Sequence, residues 1–215
     1  MYRIKLLILF VLSLSWVSCF DIHEKITVHH DKSGEIMFYI ENSGIGGMLA
    51  YISGNQEYDD MTTQVDSLAQ YLSVQEGISK VEYNLSPFQG DMFLKIAFEN
   101  TKALNKAFYG FLGYKKLSWL KKYIKIKRKK LLRMNISPFL QMYIRQNKIQ
   151  LSDYQEYIAS IKVISKMQFP GEIKTVKGEN YEIEDNSVTQ TFSLMSLLYN
   201  TKSTALKVKY KRKND

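Results

Sequence analysis

The side chains best suited to metal chemistry stand together near the N-terminus. They are His23, Glu24, His29 and His30, which include every histidine of the chain. Imidazole and carboxylate groups bind zinc when they converge on one point. If this run is a β-strand, however, His23 and His29 lie roughly 20 Å apart on one face and His30 points the other way. With no His-Glu-x-x-His spacing and no cysteine pair, the run is more typical of a solvated strand edge, and no metal site is expected.

Other patterns that could support catalysis lack the partners that the chemistry needs. Gly44, Gly46 and Gly47 are not followed by Gly-Lys-Ser/Thr, so they indicate a loop and not a phosphate cradle. Asp59 and Asp60 are expected to lie just before a helix, where carboxylates cap its N-terminus and favour its dipole. The chain has no Gly-x-Ser-x-Gly motif. We therefore expect no catalytic residues, no cofactor and no enzymatic activity.

The most unusual feature is a basic run with no intervening acid. It comprises Lys115, Lys116, Lys121, Lys122, Lys125, Lys127, Arg128, Lys129, Lys130 and Arg133. Near an anionic membrane surface each such side chain contributes about 1 kcal/mol of binding free energy. Trp119 and Tyr123 are of the type that lies at a headgroup boundary. The run therefore predicts membrane or anion binding, with these side chains nearest the phosphates: Lys125, Lys127, Arg128, Lys129 and Lys130.

Two alternatives to membrane binding remain for the basic run. A lysine-rich edge strand resists aggregation, so the run could simply be a solvated face. Nucleic acid also binds basic patches, but an export signal in the same chain argues against that encounter, and no nucleic-acid partner is expected.

The export signal occupies residues 1–18. Arg3 and Lys5 precede an apolar run from Leu6 to Leu14, which is typical of a signal peptide and shorter than the ~20 residues that a membrane-spanning helix needs. The segment that follows this apolar run ends in Val17, Ser18 and Cys19. This ending resembles a bacterial lipobox, although Trp16 replaces the usual aliphatic residue.

Cys19 is the only cysteine, so the chain can form no intramolecular disulfide. The lipobox resemblance implies cleavage before Cys19 and a lipid on its sulfur. An incidental signal-peptide cysteine and a free thiol without a role are the alternatives. Residues 19–215 are expected to fold as one domain, since the chain is 45% hydrophobic and of ordinary domain size. The net charge of +9 falls to +7 when Arg3 and Lys5 leave with the signal, which indicates a basic surface.

Hydrophobic periodicity supplies the elements that would position these groups. Alternating runs predict a hairpin with its turn at Asp31–Gly34 and a second hairpin from Ile78 to Phe98. They also predict four later strands, which begin at about Lys122 or cover Tyr157–Ser165, Val188–Leu194 and Ala205–Tyr210. Helical spacing predicts helices over Met61–Val74 and from Thr101. The order indicates an α+β fold with a mainly antiparallel sheet. The expected core residues are Ile26, Phe38, Val81, Ile96, Phe98 and Val163.

Two segments resemble a known family. The Phe169-Pro170-Gly171 turn after a strand, followed by a strand from Asn186, resembles the LppM-type domain of bacterial lipoproteins. The lipobox cysteine and the first hairpin are also similar to that domain and to a group of uncharacterised Bacteroidetes lipoproteins. The resemblance implies a sandwich or half-barrel with two or more helices packed on one side, an envelope location and contact with lipids or glycolipids.

The sequence therefore favours a lipoprotein of the bacterial cell envelope, anchored to a membrane by an N-terminal lipid. Its expected activity is that of a non-catalytic binding module for anionic lipid, glycolipid or another envelope component. The alternative is a structural or assembly subunit that docks an envelope membrane protein through exposed sheet edges.

Overall fold

The computed structural model describes residues 21–40, 56–85, 92–111, 122–146 and 151–211. The strands are β1 Ile22–Val28, β2 Gly34–Ile40, β3 Ile78–Asn84, β4 Met92–Phe98, β5 Ile124–Lys127, β6 Lys130–Arg133, β7 Lys162–Gln168, β8 Ile173–Lys177, β9 Tyr181–Glu184, β10 Ser187–Ser193 and β11 Leu206–Tyr210. The helices are α1 Gln56–Ser73, α2 Thr101–Phe111, α3 Ser137–Gln146, α4 Gln155–Ser160 and α5 Leu194–Leu198, with a 3-10 turn at Leu151–Tyr154.

The strands form two sheets. The large sheet has seven strands in the order β3-β4-β2-β1-β7-β10-β9, and the small sheet has four in the order β5-β6-β11-β8. Every pairing is antiparallel except that of β1 with β7. The predicted α+β class with a mainly antiparallel sheet is confirmed.

The first hairpin joins β1 and β2 through a turn that its own side chains close. The backbone N–H of His29 donates to the Ser33 carbonyl at 2.9 Å, and Asp31 Oδ1 accepts from the Ser33 N–H at 2.9 Å. Gly34 follows because a Cβ there would collide with the Thr27 carbonyl oxygen and with the ring of Phe98. The predicted hairpin and its turn are confirmed.

The core lies between the inner face of the large sheet and a layer made of the small sheet together with α1 and α2. Ile26, Ile96 and Met167 of the large sheet share one apolar cluster with Leu131 of the small sheet and Leu104 of α2. A smaller cluster around Val163, Phe192 and Leu197 lies towards α3 and α5.

The predicted core residues all contribute to these clusters. Ile26, Ile96, Phe98 and Val163 are buried, whereas Phe38 and Val81 are half-buried and pack against the main cluster.

Three predicted elements need correction. The strand expected from Lys122 is a hairpin, β5 and β6, which reverses at Arg128–Lys129 without the glycine or asparagine that usually marks such a turn. Tyr157–Ser160 belongs to α4, which packs on α5, so β7 begins only at Lys162. Because α1 begins at Gln56, Asp59 and Asp60 lie inside the helix and not before it.

Candidate anion-binding face

The small sheet presents apolar side chains to the core and lysines to the outside. In β5, Ile124 and Ile126 are buried while Lys125 is half-buried and Lys127 is exposed. β11 continues the alternation, with Lys207 and Lys209 exposed between buried residues. In β6, Lys130 is exposed at the start of the strand and Leu132 on the same face is half-buried. Since successive side chains of a strand point to opposite faces, the lysines share the outer face of this sheet.

The strand register places these lysines opposite one another. One cross-strand row contains Lys127, Lys130, Lys209 and Thr175, and the next contains Lys125, Leu132, Lys207 and Lys177. We call the lysines of these two rows the lysine face: Lys125, Lys127, Lys130, Lys177, Lys207 and Lys209.

The positive charge of the lysine face has no compensating carboxylate among the described residues. None of its lysines forms an ion pair there, whereas Lys80 pairs with Glu82 at 2.8 Å and Lys95 with Glu35 at 3.2 Å on the large sheet. Repulsion from Lys127, with a smaller contribution from desolvation, lowers the pKa of Lys125. Like charges directly opposite one another destabilise a sheet, so this arrangement is one that a bound anion would stabilise.

The structure brings together the side chains that the sequence selected as anion-binding. Lys127, Arg128, Lys129 and Lys130 are exposed at the tip of the β5–β6 hairpin, and Lys125 lies one row below them. Tyr123 was expected at a headgroup boundary, but its ring packs edge-on against Phe108 with 5.9 Å between centroids and contacts the core. Tyr123 is the residue before β5 and is half-buried, so its place at a headgroup boundary stays a prediction.

The remaining predicted residues include several on which the structure gives no information. Cys19, Trp119 and the glycines at 44, 46 and 47 lie outside the described residues. Lipid attachment at Cys19 and the orientation of Trp119 therefore stay predictions.

Sequence reasoning missed Lys177, Lys207 and Lys209. The alternation of leucine, lysine, valine, lysine and tyrosine over 206–210 carried a local signal, because it predicts a strand with lysines on one face. The pairing of this strand with β6 joins its lysines to the basic run. No local pattern in the sequence predicts that pairing.

Arg133 belongs to the basic run but lies inside the protein. Its Nη2 pairs with Oε2 of Glu24 at 2.7 Å, and its Nη1 donates to Gln190 Oε1 at 3.2 Å. The Ser165 hydroxyl also donates to Glu24. Burial lowers the pKa of Arg133, and the charge of Glu24 opposes that effect. This buried pair joins the two sheets and is shielded from solvent.

The histidines do not converge. His23 lies in β1 and stacks on Tyr39 with 4.5 Å between ring centroids, while His29 lies in the following turn with Nδ1 3.0 Å from Ser33 Oγ. Within the described ranges no group of three or more histidine, cysteine, aspartate or glutamate side chains is arranged to hold a metal ion.

No protein-family model and no curated protein matches the chain. Among solved structures, the chain is similar to the folded domain of LppM from Mycobacterium tuberculosis, at 10% identity and a TM-score of 0.40, over 91% of this chain and 92% of that one. None of the described helices has the length and apolar character needed to cross a membrane.

Proposed function

We propose that the protein is a lipoprotein of the bacterial envelope, held on a membrane by a lipid on Cys19, and that it acts as a non-catalytic module that binds anionic lipid. The observation that carries this proposal is the lysine face, a sheet surface with exposed lysines on every strand and no ion pair to a described carboxylate. Such a surface is complementary to the phosphates of an anionic bilayer.

The proposed anchor and the lysine face can contact the same bilayer. Three peptide steps separate Cys19 from Ile22, the first residue of β1, so the chain allows at most about 11 Å between a lipidated Cys19 and the start of that strand. A lipid at Cys19 would thus hold the domain next to a bilayer and keep its lysine face close to anionic phosphates.

Vesicle flotation tests the binding step. The chain from residue 20 onward keeps every described element, and it should float with vesicles of phosphatidylcholine that contain phosphatidylglycerol but not with phosphatidylcholine alone. A triple variant, Lys127→Gln, Lys130→Gln and Lys209→Gln, loses three contacts of about 1 kcal/mol each and should bind roughly 100-fold more weakly.

The matched control removes the same charge elsewhere. Lys102, Lys162 and Lys202 are exposed and lie outside the lysine face, so a triple change of these residues to glutamine should weaken flotation by less than about threefold if position matters more than net charge. Equal loss in the two triple variants would show non-specific attraction. Absence of flotation at low salt would contradict the proposal.

The second candidate function is a structural or assembly subunit, and one edge of the large sheet favours it. β9 is exposed along its whole length, and Ile183 on it is 50% exposed. An unpaired edge with an apolar side chain can accept a strand from a partner. Native mass spectrometry of the protein extracted from its own membrane distinguishes the candidates, because retained lipid supports the first and a retained polypeptide the second.

A further inference from the structure

Two hairpin turns from different sheets meet around one open pocket of about 720 Å³. The β1–β2 turn contributes Lys32, and the β5–β6 hairpin contributes the remaining lining residues: Ile126, Lys127, Arg128, Lys129 and Lys130. Apart from Ile126 the lining side chains are all basic. The pocket thus combines concentrated positive charge with a small apolar floor.

Both turns hold a basic residue in a backbone conformation that basic residues rarely adopt. Lys32 has φ of 77° and Arg128 has φ of 44°. In the described part of the chain the other residues with positive φ are Gly77, Asn180, Asp185 and Asn200, all of the types that tolerate it. The two exceptions are both cationic and both line this pocket. Glycine or asparagine would fit either turn better, so folding alone does not explain a lysine and an arginine there.

The surrounding structure holds the pocket in place. Tyr210, which is buried at the end of β11, donates its backbone N–H to the Lys129 carbonyl at 3.0 Å and its hydroxyl to the Arg128 carbonyl at 3.4 Å. The neighbouring acid, Asp31, accepts hydrogen bonds from the Ser33 N–H and hydroxyl at 2.9 and 2.6 Å. Those bonds keep the Asp31 carboxylate engaged within its own turn, and it does not line the pocket.

We infer that this pocket is a phosphate-binding site and that the phosphate it takes is that of a lipid headgroup. A guanidinium and several ammonium groups supply charge-assisted donors to phosphate oxygens, and Ile126 offers an apolar contact for the glycerol carbons beside the phosphate. The inference deepens the proposed function and rests on it for the lipid source of the phosphate. It adds that one place at the edge of the lysine face binds a single phosphate group selectively.

Glycine substitutions provide a test in which folding is not at risk. At Lys32 and Arg128, glycine removes the charge and also relieves the positive φ, so the double variant Lys32→Gly/Arg128→Gly should be at least as stable as the wild type. The matched control, Lys177→Thr/Lys207→Thr, removes the same charge from the lysine face but outside the pocket.

The probe for the site is glycerol 1-phosphate, with glycerol as the uncharged control, added to the ¹⁵N-labelled chain from residue 20 onward. We expect saturable shifts of the amide resonances of Lys32, Arg128 and Lys129 with glycerol 1-phosphate alone. Binding should be roughly thirtyfold weaker in the glycine double variant and within about twofold of the wild type in the threonine double variant.

A second measurement is flotation with phosphatidylglycerol vesicles. Both double variants should weaken flotation, because one removes charge from the pocket and the other removes it from the lysine face. Shifts spread over the whole lysine face without saturation, or equal weakening of glycerol 1-phosphate binding by the two variants, would overturn the discrete site and leave the proposed function intact. Saturable binding of glycerol 1-phosphate without any flotation of the wild type would overturn the lipid source, and with it the proposed function.

Discussion

Replacing Arg133 with methionine should destabilise the protein severely, because it leaves the Glu24 carboxylate buried without its counter-charge. The side chains of the two residues are 1% and 5% exposed. On the inner face of the large sheet, the row of Glu24, Ser165 and Gln190 lies between apolar rows, with Ile26 in one and Val163 in the other. Water therefore cannot solvate the Glu24 carboxylate in the Arg133→Met variant. Among the described side chains, the Ser165 hydroxyl is then the one donor that remains to it.

The expected magnitude follows from this burial. Removing one partner of a buried ion pair costs about 3–5 kcal/mol, a large fraction of the ~5–15 kcal/mol that stabilises a typical domain. For a domain of this size each kcal/mol lowers Tm by about 2–4 °C, so Arg133→Met should lower it by roughly 6–20 °C. The double variant Glu24→Leu/Arg133→Met removes both charges and should regain most of that loss.

Urea and thermal unfolding followed by circular dichroism measure these effects. The control is Lys80→Met, which breaks the exposed pair with Glu82 and should cost less than about 1 kcal/mol. If Arg133→Met is no more destabilising than Lys80→Met, the pair is not shielded as the structure shows. If the double variant is as unstable as the single one, the loss comes from packing and not from an unpaired charge.

Three further predictions concern the anchor and the lysine face. Cells labelled with a fatty-acid analogue should incorporate it into the wild type and not into Cys19→Ala, and equal labelling would rule out lipidation at that residue. Raising NaCl from about 0.1 M to about 1 M shortens the screening length from ~10 to ~3 Å. This should raise Tm, because lysine repulsion weakens, and it should also weaken vesicle binding. If Tm and vesicle affinity both rise or both fall, the two effects do not share an electrostatic origin. Lys127 lowers the pKa of Lys125, so protonated Lys125 destabilises the folded state. This loss of stability is fully present below the pKa that Lys125 has in the folded protein, and it disappears as the pH rises to the ordinary pKa of lysine. Lys127→Gln should therefore raise the Lys125 pKa in an NMR titration, and an unchanged pKa would show that the two ammonium groups do not interact.

Local patterns in the sequence predicted much of the fold. Ile26 and Ile96 were predicted in the core because period-two alternation is a property of each strand by itself. The reversal at Arg128–Lys129 could not be predicted, because turn chemistry is inferred from glycine and asparagine and neither is present.

Long-range pairing was beyond the reach of local patterns. β1 pairs in parallel with β7, and the hydrogen bond from Ser165 to Glu24 spans 141 residues of sequence. The buried Glu24–Arg133 pair depends on that pairing and on the packing of the two sheets. From the sequence, Arg133 was indistinguishable from the exposed basic residues before it, and Lys207 had no evident connection to them.

The most direct test of the central claim is the reactivity of individual lysines towards an acetylating reagent, measured by mass spectrometry with and without phosphatidylglycerol vesicles. Bound vesicles should protect the lysines that are exposed in the free protein on the lysine face: Lys127, Lys130, Lys177, Lys207 and Lys209. Lys102 and Lys202, also exposed but off that face, should react as before. Uniform protection of all exposed lysines, or protection confined to Lys102 and Lys202, would show that the lysine face does not contact the membrane.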